Sequence, residues 1–323
     1  MQAPKFWDKK ESKLAKILSP IGSVYAWIVA RRLSKAHPYQ AKMPVICVGN
    51  ISVGGTGKTP VCLALAKLLK EKGQSPWFLN HGYHASQQSV IVDIKSHSAL
   101  EVGDEALLLA ESTPTIVDSA RARGAQLAEK MNAPLLIMDD GFQNPSLVKT
   151  FSFVVVDGTK GFGNERVLPA GPLREPVLKG LKRADALILV GKDNWGVQEY
   201  LNENKMDLPI LTGRFVPDPQ DLERLKAHSV CAFAGLGNPQ KFFDMLVQNG
   251  VQLTSTHCFP DHYFYTRFDI EDLNKKVAKS ILATTSKDWV KVPKEMREGI
   301  IQVKGNFEFD DPDSVWHLLK ESL

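Results

Sequence analysis

Three groups of residues in this sequence are of types that handle phosphoryl chemistry. The first is Ser52-Val53-Gly54-Gly55-Thr56-Gly57-Lys58-Thr59. Its spacing is that of a phosphate-binding loop, with Ser52 where a glycine is usual. Glycines let backbone N–H groups close on phosphate oxygens, and a helix starting at the end of the loop adds its positive dipole end. Lys58 would reach the β- and γ-phosphates of a nucleotide, and the Thr59 hydroxyl would hold Mg²⁺. An ordinary glycine turn is the alternative, but an apolar strand precedes the loop and a Leu/Ala/Lys-rich helix follows it, as the motif requires. The second group is Asp139-Asp140, which closes the apolar run Pro134–Met138. A carboxylate at the end of such a strand reaches a metal directly or through water.

The third group is dispersed. Asp104 follows Gly103 at the start of an apolar helix, and two readings of it balance: a helix N-cap, or a carboxylate that accepts a proton from an attacking hydroxyl. Arg174 and Glu175 end a stretch rich in Gly and Pro (161–176), which fits a shaped binding loop better than a linker. Arg174 would stabilise charge on a transferring phosphoryl group, or equally form a structural salt bridge. His81 and His84 read as loop residues near a polar site. His257, Cys258, Asp261 and His262 are of metal-ligating types, but a polar loop facing a cleft between domains is the better reading.

These residues need elements to hold them. Apolar strands are expected at 43–49, 76–79, 114–117, 134–138, 153–157 and 185–190, with an alternating strand at 89–94. Helices are expected at 61–72, 106–110 and 120–131. Continuous apolar strands alternating with helices imply an α/β fold with a mostly parallel sheet covered on both faces. Ligands of such sheets bind at the carboxyl ends of the strands, where both phosphate-handling motifs lie. Residues 191–228 are polar, contain Pro209, Pro217 and Pro219, and read as a connector. A second α/β unit begins at Val230; its Gly235-Leu236-Gly237 lacks the third glycine of a dinucleotide fingerprint. The expected organisation is an N-terminal amphipathic helix (1–35), a phosphate-loop domain (36–212) and a smaller α/β domain (213–323).

The 323 residues are 43% hydrophobic, enough for a real core in two domains. Four widely spaced cysteines argue against a disulfide framework or structural zinc and suit a reducing compartment. Charge is unevenly placed. Residues 1–35 hold eight Lys or Arg against two Asp or Glu, so the rest of a chain of net charge +4 is slightly acidic. The apolar part of 12–35 is too short to span a bilayer, and Pro20 and Gly22 are expected to interrupt it. With Tyr25 and Trp27 at headgroup level and Lys/Arg on anionic lipid, this segment fits a membrane surface; a helix packed on the domain is the alternative. No nucleic-acid partner is expected, and the chain is expected to act as a monomer.

Taken together, the motifs resemble the tetraacyldisaccharide 4′-kinase family of lipid A biosynthesis over about residues 12–290. The marks are Gly49-Asn50 through Thr59-Pro60, Gly103-Asp104-Glu105, Asp139-Asp140-Gly141-Phe142-Gln143, Gly161-Phe162-Gly163-Asn164, Leu168 to Pro176, Phe233-Ala234-Gly235 and Phe259-Pro260-Asp261-His262. The resemblance implies transfer of the γ-phosphate of ATP, with Mg²⁺, to the 4′-hydroxyl of a tetraacylated glucosamine disaccharide 1-phosphate. It implies a peripheral enzyme at the cytoplasmic face of the bacterial inner membrane. It also implies a phosphate-loop domain joined to a smaller α/β domain by a two-stranded linker. Asp104 takes the place of the family's catalytic aspartate and His262 that of its partner, which tips Asp104 to the functional reading. Asp139 and Asp140 would serve Mg²⁺, and Arg174 with Glu175 would position phosphate or metal. Departures from the family pattern are His81 and His84 in Arg-Gly-Tyr-Gly, Asn144 for the His after Asp-Asp-Gly-Phe-Gln, Asp118-Ser119-Ala120 for Gly-Arg-Asp, and Ser286 in Thr-Glu-Lys-Asp. They bear on acceptor contacts and leave open an altered acceptor. A membrane-associated nucleotide switch is the alternative class, but the Asn-Lys-x-Asp of guanine-specific switches is absent.

Overall fold

The computed structural model of the chain describes residues 4–276 and 280–323. Thirteen strands occur among them: β1 (Val45–Gly49), β2 (Pro76–Asn80), β3 (Val90–Ile91), β4 (Thr115–Val117), β5 (Leu135–Asp139), β6 (Phe151–Asp157), β7 (Ala186–Val190), β8 (Ile210–Pro217), β9 (Val230–Ala234), β10 (Leu253–Cys258), β11 (Ile281–Thr285), β12 (Ile300–Val303) and β13 (Gly305–Phe309). Nine form one sheet in the order β13-β8-β7-β6-β1-β5-β2-β4-β3. It is parallel except at its two edges, where β3 runs against β4 and β13 against β8. β1 lies at the centre between β5 and β6. The phosphate loop therefore leaves the middle of the sheet, beside the end of β5 that carries Asp139.

β1 shows why the sheet is buried on both faces. Successive side chains of a strand point to opposite sides, and here Val45 and Cys47 enter one apolar core while Ile46 and Val48 enter the other. The second core also takes Leu65 and Leu69 of the helix Lys58–Glu71 and Val315 and Leu319 of the helix Pro312–Leu319.

A smaller, all-parallel sheet has the order β10-β9-β11-β12. The chain enters this unit after β8 and returns through β13, which pairs antiparallel with β8 from Gly305↔Pro217 to Phe309↔Gly213. Two strands thus join the units. The boundary expected at 212/213 falls inside β8, and residues from 305 onward return to the larger sheet. Residues 191–228 are not a plain connector either: they form the helix Val197–Glu203, β8 and the helix Pro219–Lys226. β8 alternates buried Leu211 and Gly213 with exposed Thr212 and Arg214, so its composition hides a strand. The strand expected at 89–94 shrinks to β3, because the Asp93 carboxylate accepts from the Lys95 N–H and the Ser96 hydroxyl and turns the chain.

The helix Lys13–Ser34 runs unbroken through Pro20 and Gly22, contrary to expectation. Pro20 and Lys16, whose carbonyl the proline leaves without a helical donor, both lie on the exposed surface, and the hydroxyls of Ser19 and Ser23 donate to the carbonyls of Ala15 and Ser19. Gly22 is needed for close approach: a Cβ there would sit 2.8 Å from the Val167 carbonyl oxygen. Arg166 Nη1 donates to Ser19 Oγ at 2.6 Å, fixing the helix to the 166–176 loop. Its opposite side bears Leu14, Ile17, Ile21, Val24 and Ile28, all exposed and spaced three or four residues apart. No helix among the described residues is long and apolar enough to cross a membrane.

Candidate active site

The loop from Ser52 to Thr59 turns at Gly57, whose φ of +91° suits glycine, and the 14-residue helix Lys58–Glu71 starts there. Cβ atoms added at Gly54 and Gly55 would meet nothing within 4 Å, so the backbone of the loop faces open space. The loop is held from behind. Asn50, fully buried, donates to Thr56 Oγ1 at 3.1 Å. Val53 N–H donates to the Pro172 carbonyl and Arg174 N–H to that of Ile51, both at 2.8 Å. The Gly/Pro-rich segment is thus a brace that zips onto the phosphate loop.

The two neighbouring aspartates have separate surroundings. Asp139 is buried, with Oδ2 accepting from the Thr59 hydroxyl (3.3 Å) and from Asn80 Nδ2 (3.2 Å). Its Oδ1 is buried with no hydrogen-bond partner. Burial first, and the charge of Glu105 next, push its carboxyl up to about 7, against the pull of Lys58. Asp140 has φ +48° and turns to the other side. There it meets Arg174 Nη1 at 3.1 Å and Lys58 Nζ at 3.6 Å. Burial alone would raise its carboxyl, but those two cations hold it below the usual range. Arg174 is thus salt-bridged, and both readings of it remain compatible with its place beside Lys58.

Glu175 is placed differently from expectation. Both its oxygens are taken by Arg183, at 2.7 and 2.9 Å, and Gln143 Nε2 donates to Oε1 at 3.0 Å. A carboxylate neutralised in this fork is a poor metal ligand. Gln143 also donates to the Asn50 carbonyl at 2.7 Å, so Glu175 serves the brace. Among the described residues no three His, Cys, Asp or Glu side chains converge as a metal cluster, at 81–84, at 257–262 or elsewhere.

Across from the loop lies the smaller domain. A Cβ on Gly237 would come 3.9 Å from the Gly55 nitrogen, and Lys241 pairs with Asp157 at the end of β6. His262 reaches back to Asp104, its Nδ1 3.0 Å from Oδ2 and 3.2 Å from Oδ1. Burial would raise the Asp104 carboxyl, yet the hydrogen bond from His262 and the charges of Lys287, His262 and Lys291 bring it down to about 2. Asp104 is therefore an anion throughout the neutral range, one flank held by a ring nitrogen. It is the first residue of the helix Asp104–Ala110, whose cap position falls to Gly103, and its Oδ1 also accepts the Glu105 N–H at 2.9 Å, so the carboxylate both tethers the helix start and faces His262.

The model of the tetraacyldisaccharide-1-P 4′-kinase family matches residues 14–323. The tetraacyldisaccharide 4′-kinase of Paramagnetospirillum magneticum is 46% identical over 97% of this chain and 96% of its own length. That of Rhodospirillum rubrum is 42% identical, over 97% and 95%. The chain belongs to the tetraacyldisaccharide 4′-kinase family. A crystal structure of LpxK from Aquifex aeolicus in complex with ATP superposes with a TM-score of 0.76 at 29% identity, covering 96% of this chain and 99% of that one. The α/β phosphate-loop kinase fold read from the sequence is the fold of this family member.

Several residues of this kinase-family site carried no signal in the sequence. Asn80, at the end of β2, touches Asp139 only because β2 and β5 are neighbours. Arg121 is 1% exposed and donates to the carbonyls of Leu79 (3.3 Å) and Asp139 (2.7 Å), closing the strand ends beneath the site. Lys291 lies fully buried 3.7 Å from Asp104 Oδ2 and 2.9 Å from Asp288 Oδ1.

Proposed function

We propose that this chain transfers the γ-phosphoryl group of ATP to the 4′-hydroxyl of a tetraacylated glucosamine disaccharide 1-phosphate, working from the cytoplasmic face of a bacterial inner membrane. The observation that carries this reading is the Asp104–His262 pair, assembled from two domains opposite an open phosphate loop. The loop N–H groups, the first turn of the helix Lys58–Glu71 and Lys58 hold the triphosphate. Arg174 lies near enough to Lys58, through Asp140, to meet charge on the transferring group.

The residues present fit Mg²⁺: a buried, unpartnered Asp139 Oδ1 beside the Thr59 hydroxyl is a donor set that a hard cation completes. Thr59 and Asp139 would hold the ion, while Asp140 pairs with Arg174 and Lys58 and Glu175 is left to the brace. When bound, the ion neutralises phosphate charge. Asp104 accepts the proton of the acceptor hydroxyl, and His262 keeps its carboxylate oriented. A carboxylate held at about 2 is a weak base, which suits a loose transition state in which the hydroxyl keeps its proton until late.

The exposed stripe from Leu14 to Ile28 would lie in the interface of the bilayer, with Trp27 beside Arg31 at headgroup level. Through Arg166 and the brace, that helix is one step from the phosphate loop. The test is ADP release with and without acceptor in mixed vesicles. Stimulation of at least tenfold by the acceptor is expected, whereas equal release without it would make the chain an NTPase instead.

A further inference from the structure

Lys287, on the short helix Ser286–Trp289 of the smaller domain, lies among two carboxylates and an imidazole. Its Nζ is 3.1 Å from Glu105 Oε1, 3.6 Å from Asp261 Oδ1 and 3.5 Å from His262 Nε2. An ammonium has only protons to offer and no lone pair. Burial would lower the lysine, but Glu105, Asp104 and Asp261 outweigh it and hold Lys287 above its ordinary range, so the cation persists. A proton on His262 Nε2 would then point N–H at N–H. Nε2 must instead turn its lone pair to Lys287, and the single proton of a neutral ring must sit on Nδ1, which faces Asp104.

The other groups around the ring do not offset this. Asp261 Oδ1 is 3.8 Å from Nε2, beyond hydrogen-bond reach, and already accepts the His262 backbone N–H at 3.0 Å. Tyr83 packs against the ring at a tilt of 49° with the centroids 4.8 Å apart, and His84 packs against Tyr83 at 59° and 4.1 Å. Lys291 approaches Asp104, not the ring, and is bonded to Asp288.

We propose that Lys287 is a positioning residue of the Asp104–His262 pair: its ammonium, anchored by Glu105 across the domain interface, selects the Nδ1–H form of His262. His262 can then donate to Asp104 and leave the remaining carboxylate lone pairs for the acceptor hydroxyl. Because Glu105 and Asp104 belong to the larger domain while Lys287 and His262 belong to the smaller, the selection operates only when the two meet. This inference rests on the proposed role of Asp104, but the NMR arm of its test does not.

The test is ¹⁵N NMR of histidine-labelled full-length protein at pH 7.5, with His262 assigned by His262→Gln. The wild type is expected to show His262 protonated at Nδ1 alone. Lys287→Met should shift it toward the Nε2–H form, which is ordinarily preferred in water, whereas Lys287→Arg, also a pure donor, should retain Nδ1–H. In the same Lys287→Met protein kcat should fall at least tenfold with KM for ATP within threefold. The acid limb of kcat/KM should move to higher pH, since one of the cations that depress Asp104 is gone. If Lys287→Met does not fold, Glu105→Gln, which frees the cation from its anchor, should give the same tautomer shift in part. A wild-type ring protonated at Nε2 or at both nitrogens, or an unchanged Nδ1–H in both variants, overturns the assignment. Nδ1–H without acceptor-dependent transfer would instead defeat the kinase reading and leave the assignment of Lys287 standing.

Discussion

Replacing Asp139 by Asn should alter how stability depends on pH. The carboxylate is buried, one oxygen has no partner, and its carboxyl stands at about 7 against an ordinary 3.8. An acid raised in the folded state holds its proton in the native protein while the unfolded chain has lost it. The native state is therefore destabilised as pH rises above the unfolded value, and the effect levels off above about 7. Between pH 5 and pH 8 this single group removes on the order of 2–3 kcal/mol from the ligand-free protein, at about 1.4 kcal/mol per pH unit over the part of the window not yet traversed at pH 5. For a chain of this length that is a fall of about 3–5 °C in melting temperature. Asp139→Asn has no such proton to lose, so its melting temperature should lack this component of the pH dependence. With Mg²⁺ and ATP the order should reverse: the wild type should gain stability at pH 8 more than at pH 6, because the ion needs the carboxylate, and the variant should gain much less. Thermal unfolding at pH 5, 6, 7 and 8, with and without Mg·ATP, measures all of this. Parallel pH curves for the two ligand-free proteins, or equal stabilisation of both by Mg·ATP, would refute the argument.

Three further outcomes are expected. Asp104→Asn should lower kcat by about 10²–10⁴ while KM for ATP stays within threefold, as expected for a proton acceptor that acts in the transition state; a loss confined to KM would make Asp104 a binding residue. Glu175→Gln should leave the Mg²⁺ concentration for half-maximal rate unchanged and cost about 1–2 kcal/mol in urea unfolding, since the buried carboxylate pairs with a partly exposed Arg183; a several-fold rise in the Mg²⁺ requirement would restore Glu175 as a ligand. Ile21→Glu with Ile28→Glu should reduce sedimentation with anionic vesicles at least tenfold and leave circular dichroism unchanged, because both positions are exposed; undiminished vesicle binding would move the membrane surface elsewhere.

The sequence was most legible where one residue type does one local job. The phosphate loop needs glycines, a lysine and a hydroxyl at fixed offsets, and a buried strand shows as an apolar run, so β1, β5 and the residues at their ends could be read directly. Asp104 was legible only through family resemblance, since a carboxylate after glycine at a helix start has a sufficient local explanation. The group that sets it apart from a plain helix-start carboxylate is His262, 158 residues away and brought up by a second domain. Glu175 was misplaced for the same reason: adjacent to Arg174 in sequence, it finds Arg183 in space. β8 was hidden because the strand that links two units carries exposed polar residues such as Thr212 and Arg214 on one face. Pro20 did not break its helix because the carbonyl it leaves without a helical donor, that of Lys16, belongs to an exposed residue and is not buried unpaired.

The proposed reaction places phosphate on one hydroxyl of an acylated disaccharide. The most direct measurement is the product itself, formed from Mg·ATP and a tetraacyldisaccharide 1-phosphate in vesicles and analysed by mass spectrometry and ³¹P–¹H correlation. Expected are the mass of one added phosphate, a second phosphorus signal correlated with the 4′ proton, and loss of both with Lys58→Ala. ADP release with an unchanged disaccharide, or phosphate on a different hydroxyl, would contradict it.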